Sequence, residues 1–511
     1  MRALRVLALL SLLSQPAWAK TLNVSPGESI ATAIAQAVPG DVIVLGAGDH
    51  SENLVLNDSG AAASPISIEG APGAKLAGRI QIGGDHWILR DLAIVPPPDV
   101  DAIQIDGSFN RLERIDLSGG TRDGIDGAGT GNQVVDSKLH EFDTGVPGSD
   151  AHCIVLNPGA TDWLIEGNDV YDCSGDGIQL YSSGPERTIV NTVIKGNEIH
   201  YTGATGVGFT ENAIDIKNAD GLEIFGNHLH GFMTNKVIVA QKGPANISVR
   251  CNVMHSSDRG PEFRAEDGGV MENITVSHNL IHSMTAFYAL KFDTVQNVLV
   301  YNNTIAASGG NGLRIEGGGI QGGEVRNNVW IDTGSVHSGN FTADHNAFFD
   351  ASSDISSPSD VTTDPMLDAQ YRLTSGSPLV DAGVDVGLPF SGSAPDIGFD
   401  ELGGDPCGSG GSAGAGGSGG GSSGSSGAGG SSGASGGGAG GTGGNAGTSS
   451  AAPQAEDDGG CGCTVPGAPI RAPLAALFML ALLLREARRI RSRSDRHRPA
   501  RSRRRRRRRS R

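Results

Sequence analysis

Aromatic residues are scarce in this chain, at 5%, and only six of its 511 residues are cysteine. So few rings, set against 78 glycines, suit short strands and many turns better than a helical or sandwich core. No C-x-x-C pair occurs, so a zinc ribbon is excluded. Cys153 and Cys173 lie about one coil apart in the repeat described below. An oxidising compartment permits a bridge between them, although their offsets within the coil differ. Cys251 has no evident partner. The apolar run from about Pro473 to Leu484 is shorter than the roughly 20 residues a stable spanning helix needs, which argues against a permanent membrane anchor. Cations are also few outside the termini. Setting aside Arg2, Arg5, Arg471 and the tail arginines leaves about 20 of 39 cations, and setting aside five C-terminal acids leaves about 51 of 56 acids. The ectodomain therefore carries roughly −31, against −17 for the whole chain. Nucleic acid is excluded as its partner.

What is present is a repeat. Eight times between Asn168 and Asn346 an apolar pair two residues apart is followed by asparagine and then another apolar residue. Leu222 and Ile224 precede Asn227, Ile247 and Val249 precede Asn252, Ile274 and Val276 precede Asn279, and Val298 and Val300 precede Asn303. Spacing of two is strand periodicity. The recurrence interval of about 25 residues is that of a solenoid. The asparagine falls where a tight turn favours left-handed or bridge-region backbone, and a column of such turns lets the amides bond from coil to coil. A second inward pair, as in Ile103 and Ile105, Ile178 and Leu180, or Ile214 and Ile216, marks another wall. Helical spacing occurs once, at Ile30, Ala33, Ile34 and Ala37 before Pro39-Gly40, and predicts a short helix capping the first coil. The expected fold is all-β, a parallel β-helix.

Composition divides the chain. Residues 1–19 read as a secretory signal peptide ending in Ala17-Trp18-Ala19. The β-helix spans 20–350, with a C-terminal cap over 351–406. A disordered Gly/Ser-rich linker occupies 407–458, and a sorting tail, 459–511, holds Cys461-Gly462-Cys463, the short hydrophobic segment and an Arg-rich end. The arginines read as a positive-inside stop rather than a nucleic-acid arm.

Chemistry is read from outward positions, because coils about 4.8 Å apart align equivalent residues into columns. Aligned on the second inward pair, one column holds Asp101, Asp123, His152, Asp176, Asn212 and Lys236. The next holds Gln104, Asp126, Gln179, Asp215, Arg264, Lys291 and Arg314, and the third holds Asp106, Tyr181, Lys217, Gln241, Glu266 and Glu316. This wall suits a long carbohydrate lying along the solenoid. Uronate β-elimination needs neutralisation of the C6 carboxylate, a base for the C5 proton and help for the leaving oxygen. Lys217 is the first choice of base, with Lys236 and Arg264 also candidate catalytic residues. Asp176, Glu211 and Asp215 are candidate Ca²⁺ ligands, and His152, Gln179, Tyr181, Lys291 and Arg314 candidate substrate contacts. An ordinary lysine titrates near 10.4, so acting at neutral pH requires nearby positive charge or desolvation. The competing reading is a ladder of surface salt bridges, common in solenoids.

The connection from Tyr181 to Glu211 is long, and Gly203, Gly206 and Gly208 equip it to move over the cleft. His200, His230, His255 and His282 each follow a ladder asparagine by three residues, with Tyr171 one coil earlier. No carboxylate recurs beside them, so the column reads as ring stacking rather than a metal site.

The cap helix, asparagine ladder and inward pairs resemble the pectate-lyase-like right-handed β-helix superfamily over about residues 20–350. Ser174-Gly175-Asp176-Gly177-Ile178-Gln179 and Glu211 to Lys217 are similar to motifs of secreted members. The resemblance implies the right-handed fold; lyases, epimerases, hydrolases and inactive adhesins share it. The Asn-Thr-Asp-Gly, paired Asp and Gly-His-Gly motifs of polygalacturonases are absent, which disfavours that hydrolysis. Asp364-Pro365 through Ser377-Pro378, Asp381-Ala382-Gly383 and Asp396-Ile397-Gly398 resemble a choice-of-anchor Q region. The tail resembles MYXO-CTERM sorting tails, which implies processing and outer-surface membrane attachment at Cys461 or Cys463. Two functions are therefore expected. One is a surface-anchored, monomeric polysaccharide lyase or uronate epimerase acting on an acidic glycan with Ca²⁺. The other is a non-catalytic surface adhesin binding glycans or ions.

Overall fold

Two-residue alternation builds most coils from three short strands, while in later coils the first two join into one, as in Tyr288–Tyr301 and Asn311–Arg326. The computed structural model describes residues 19–146, 149–182 and 184–408. Outside the described residues lie the expected signal peptide except Ala19, the linker from residue 409 onward, and the sorting tail with Cys461 and Cys463. Ile103–Ile105 pairs in parallel with Ile80–Ile82 and with Ile125–Gly127. Arg111–Glu113 and Asp116–Ser118 pair in the same way with their equivalents one coil on either side. Continued from Thr21 to Ser353, this produces a parallel β-solenoid of about 13 turns. Three sheets result. The face sheet contains Ile103–Ile105, the ladder sheet Arg111–Glu113, and the histidine sheet Asp116–Ser118.

Both sets of inward pairs are buried, and one continuous apolar cluster runs from Val24 to Phe348. Each fully buried Ile or Leu contributes about 1.5–3 kcal/mol of transfer free energy. Gly127 stands at the inward position held by Ile105 and Leu156 in adjoining coils. A Cβ there would lie 2.4 Å from Cη2 of buried Trp163, so the indole takes the room that an aliphatic residue fills elsewhere. The expected cap helix forms over Ile30–Ile34 and buries Ile30, Ala33 and Ile34. Ser29 Oγ accepts from Thr32 N, while the Glu52 carboxylate accepts from Ile30 N at 2.6 Å, satisfying amides that the first turn leaves unpaired.

The asparagine ladder forms link by link. Nδ2 of Asn168 donates to Asn197 Oδ1 at 2.9 Å, and the pattern continues through Asn227, Asn252, Asn279, Asn303 and Asn328 to Asn346. The left-handed backbone lies one residue earlier than expected. Gly167, Gly196, Gly226, Cys251, His278, Asn302, Asn327 and His345 carry positive φ, each just before a ladder asparagine. The asparagine itself is required for its amide, not for its backbone.

Beyond Ser353 the chain wraps the last coils without further named strands. Leu373, Leu379 and Ile397 pack with Val329 and Ala347 in a second apolar cluster. Asn302 Nδ2 donates to Asp396 O at 2.9 Å and Asn327 Nδ2 to Val384 O at 2.8 Å. Cys153 and Cys173 are bridged. Cys251, expected to be unpaired, is bonded to Cys407, 156 residues away in sequence. Its partner lies so far along the chain that the repeat gives no hint of it. The Tyr181–Glu211 connection is likewise not a free loop, since it contains strands Ile189–Lys195 and Glu198–His200. The irregular part after His200 is tied down by Asp172, which accepts from Thr202 N at 2.7 Å and from Thr205 Oγ1 at 2.9 Å.

Candidate functional site

Register on the face sheet decides which side chains meet. Gln179 pairs with Asp215, Asp215 with Val239, Val239 with Glu262, Glu262 with Lys291 and Lys291 with Arg314. The middle column therefore contains Glu262, and Arg264 belongs to the outer column, between Gln241 and Asp293. This corrects the expected alignment by two residues. The missed signal was Phe263, which stacks on Phe292 at 5.2 Å between ring centroids and sets the register. Asp176, Asp215 and Lys217 share this wall, as expected, but Asp176 and Asp215 are buried within it.

The earlier coils hold an acidic cluster. His152 Nδ1 lies 2.9 Å from Asp123 Oδ1, and its Nε2 lies 3.0 Å from Gln179 Nε2 and 3.6 Å from Asp176 Oδ2. Burial opposes the imidazolium, but the Asp123 hydrogen bond and the charges of Asp176, Asp123 and Asp150 outweigh it, so His152 titrates above its ordinary value. Burial, then Asp176 and Asp150, push Glu211 up to about 7. Lys217 Nζ lies 2.9 Å from Asp215 Oδ2 and 5.8 Å from the Tyr181 ring centroid. Burial works against its charge, yet Asp215, Asp176 and Glu211 prevail and raise its pKa, leaving Lys217 a held cation.

The later coils hold a cation-rich group around Glu262. Its Oε1 lies 3.0 Å from Lys291 Nζ and 3.8 Å from Arg264 Nη1, and its Oε2 lies 3.6 Å from Lys236 Nζ. Tyr288 donates its hydroxyl to Glu262 Oε2 at 2.5 Å. Lys291 also meets Glu316 at 2.7 Å, and Arg314 Nε donates to Glu316 at 2.6 Å. Lys236 differs from the other lysines here. Burial lowers its pKa, Arg264 and Arg259 lower it further, and Glu262 only partly compensates.

The expected Ca²⁺ ligands do not converge. Asp176 accepts from Asn212 Nδ2 at 2.8 Å and from Gln179 Nε2 at 3.0 Å, while Asp215 accepts from Gln241 Nε2 at 2.8 Å and faces Lys217. These hydrogen bonds occupy carboxylate oxygens of Asp176 and Asp215, which a calcium ion would otherwise share with carbonyls and waters. Among the described residues, the group with three ligand atoms within 4.8 Å of one another is Glu198, His228 and His230, on the histidine sheet.

The histidine column does stack. Centroids of His200 and His230, His230 and His255, and His255 and His282 lie 5.0, 4.9 and 4.9 Å apart. Carboxylates do stand beside it, contrary to the sequence reading: Asp169 lies 3.0 Å from His200 and Glu198 3.2 Å from His230. These acids sit two residues before the histidine position in their own strands, outside the spacing that defined the column.

Residues 212–356 match the family described as "Right handed beta helix region". The solenoid is a right-handed parallel β-helix. Among solved structures, this β-helix is similar to pectate lyase Pel9A, with 18% identity, a TM-score of 0.42, and 75% of this chain and 96% of that one covered. A PL6-family polysaccharide lyase from Pseudopedobacter saltans has 13% identity and a TM-score of 0.49, with coverage of 66% and 94%. The A-module of mannuronan C-5 epimerase AlgE4 from Azotobacter vinelandii has 14% identity and a TM-score of 0.43, with coverage of 65% and 93%. No curated protein sequence matches the chain. Likenesses this distant assign no role to any residue of the β-helix.

Proposed function

We propose that the face sheet binds an anionic polysaccharide along the β-helix axis and acts on its uronate residues by β-elimination or C5 epimerisation. The observation that carries this reading is the group of Lys236, Arg264 and Lys291 gathered around Glu262 on this wall, within which burial and the neighbouring Arg264 and Arg259 lower the Lys236 pKa. The lowered pKa enlarges the deprotonated fraction of Lys236, and that amine is the proposed acceptor of the C5 proton. Lys217, Arg264, Lys291 and Arg314 offset the uronate carboxylate charge. In elimination the C5–H electrons form the C4–C5 double bond, the C4–O4 bond breaks and O4 takes a proton. Glu211, with its pKa near 7 and one coil before Lys236, is the proton donor. Epimerisation returns a proton to the opposite face of C5 instead. The base role thus moves from Lys217 to Lys236, because Lys217 is held charged by its acidic neighbours.

A second reading, glycan binding without catalysis, is favoured by one observation: Lys217, Arg264, Lys291 and Arg314 each already pair with a carboxylate of the same wall. Wild type, Lys236→Ala and Glu211→Gln incubated with pectin, alginate and glycosaminoglycans separate the two. Ultraviolet absorbance of unsaturated products, or inversion at C5 seen by NMR, that falls roughly 100-fold or more in Lys236→Ala supports catalysis. Retained binding with no product from any polymer supports the second reading. The terminal sequence signals support export and outer-surface display through Cys461 or Cys463.

A further inference from the structure

Along the histidine sheet, Ile199 and Leu229 face the core while Glu198, His200, His228 and His230 face outward. Register sets Glu198 beside His228 and His200 beside His230, a square of four ligating side chains on two coils. Within it Glu198 Oε1 lies 3.2 Å from His230 Nε2 and 3.6 Å from His228 Nδ1. A tetrahedral ion bound at about 2.0–2.1 Å by imidazole nitrogen and carboxylate oxygen spaces its ligands roughly 3.3 Å apart. The two separations from Glu198 are close to that spacing, and all three ligand atoms lie within 4.8 Å of one another. Stacking accounts for His200, His230, His255 and His282, whose neighbouring rings are nearly parallel. His228 is held differently: its ring is tilted 41° to His230 and 40° to His255, its Nε2 lies 2.7 Å from His255 Nε2, and its Nδ1 is left facing Glu198.

We propose that Glu198, His228 and His230 form a site for a borderline divalent transition ion of the Zn²⁺ class, with the fourth position open to solvent. Two imidazoles and one carboxylate favour such an ion over oxygen-seeking Ca²⁺ or Mg²⁺. The site lies on a different sheet from the proposed glycan wall and does not depend on that activity.

The test is titration of the untagged full chain with Co²⁺, a visible-absorbing stand-in for Zn²⁺, in a Cys461→Ser/Cys463→Ser background that removes a competing thiolate pair. One equivalent should bind with four-coordinate visible bands and be displaced by Zn²⁺. Affinity should fall roughly 10-fold or more in Glu198→Gln and in His228→Val, and stay unchanged in His282→Ala, which alters the stack alone. Valine is tolerated at that strand position, since Val253 is the register partner of His228, and Glu198→Gln leaves every ring in place. No uptake at millimolar Co²⁺ overturns the proposal. So does uptake that the Glu198 and His228 variants leave unchanged, or a His282→Ala loss as large as theirs.

Discussion

Glu262 and Lys291 face each other across adjacent strands of the face sheet, Oε1 to Nζ 3.0 Å, with both side chains almost withdrawn from solvent. Tyr288, Lys236 and Arg264 converge on the same carboxylate. Burial raises the Glu262 pKa, but the Tyr288 and Lys291 hydrogen bonds and the nearby charges more than reverse this and hold it below its ordinary value. Its stabilising contribution is therefore present above about pH 4.5 and is lost as pH falls through the depressed value. Glu262→Gln leaves buried cations without their counter-charge and should cost about 3 kcal/mol at pH 7 in urea unfolding. Adding Lys291→Met should recover part of that loss.

The asparagine ladder should behave as a cooperative unit. In Asn279→Ala, Asn252 N and Nδ2 lose their acceptor, and the donors to Val249 O and Asn303 Oδ1 disappear. Leaving such buried groups unpaired costs about 1–3 kcal/mol each. A loss of about 3 kcal/mol is expected, seen as a lower urea midpoint with unchanged slope.

Glu211 supplies a pH signature of opposite sign. Its folded pKa of about 7 exceeds the ordinary value of 4.5, so the folded chain favours the protonated acid and stability declines as pH rises from about 4.5 through 7. Glu211→Gln removes that decline. The variant should match wild type in Tm at pH 4 and exceed it at pH 8.

The Cys251–Cys407 bridge should hold the C-terminal cap against the coils. A closed loop of 156 residues restricts the unfolded chain by about 5 kcal/mol in the entropic description. Cys407→Ser, or a reductant, should lower Tm and open residues 354–406 to limited proteolysis before the strands are cut. Unchanged Tm and cleavage in both cases would show that the cap docks without the bridge.

Much of this molecule was legible because its information is local. Ile214 and Ile216 point inward for the same reason as Ile178 and Leu180, and period-two alternation states that reason directly. The Asn227-to-Asn252 link follows once the coils stack. The site was less legible. The sequence columns put Arg264 beside Lys291, whereas strand register pairs Phe263 with Phe292 and moves Arg264 to the outer column. Glu262, the centre of the cation group, was missed for that reason alone. Glu198 was overlooked because its contact with His230 crosses coils, whereas the histidine spacing runs along one column.

Sequence alone determined the parallel coil, its apolar pairs, the cap helix, the turn asparagines and the acidity of the β-helix region, since each depends on residue type and short-range period. Tertiary structure decided the rest. Which lysine is held charged and which is depressed depends on burial and on charges one or two coils away. The pairing of Cys251 depends on where a chain end lands after the whole solenoid has wound. Electrostatic energy is set by distance in space, and the distance along the chain between Lys236 and Glu262, or between Glu198 and His230, carries no measure of it.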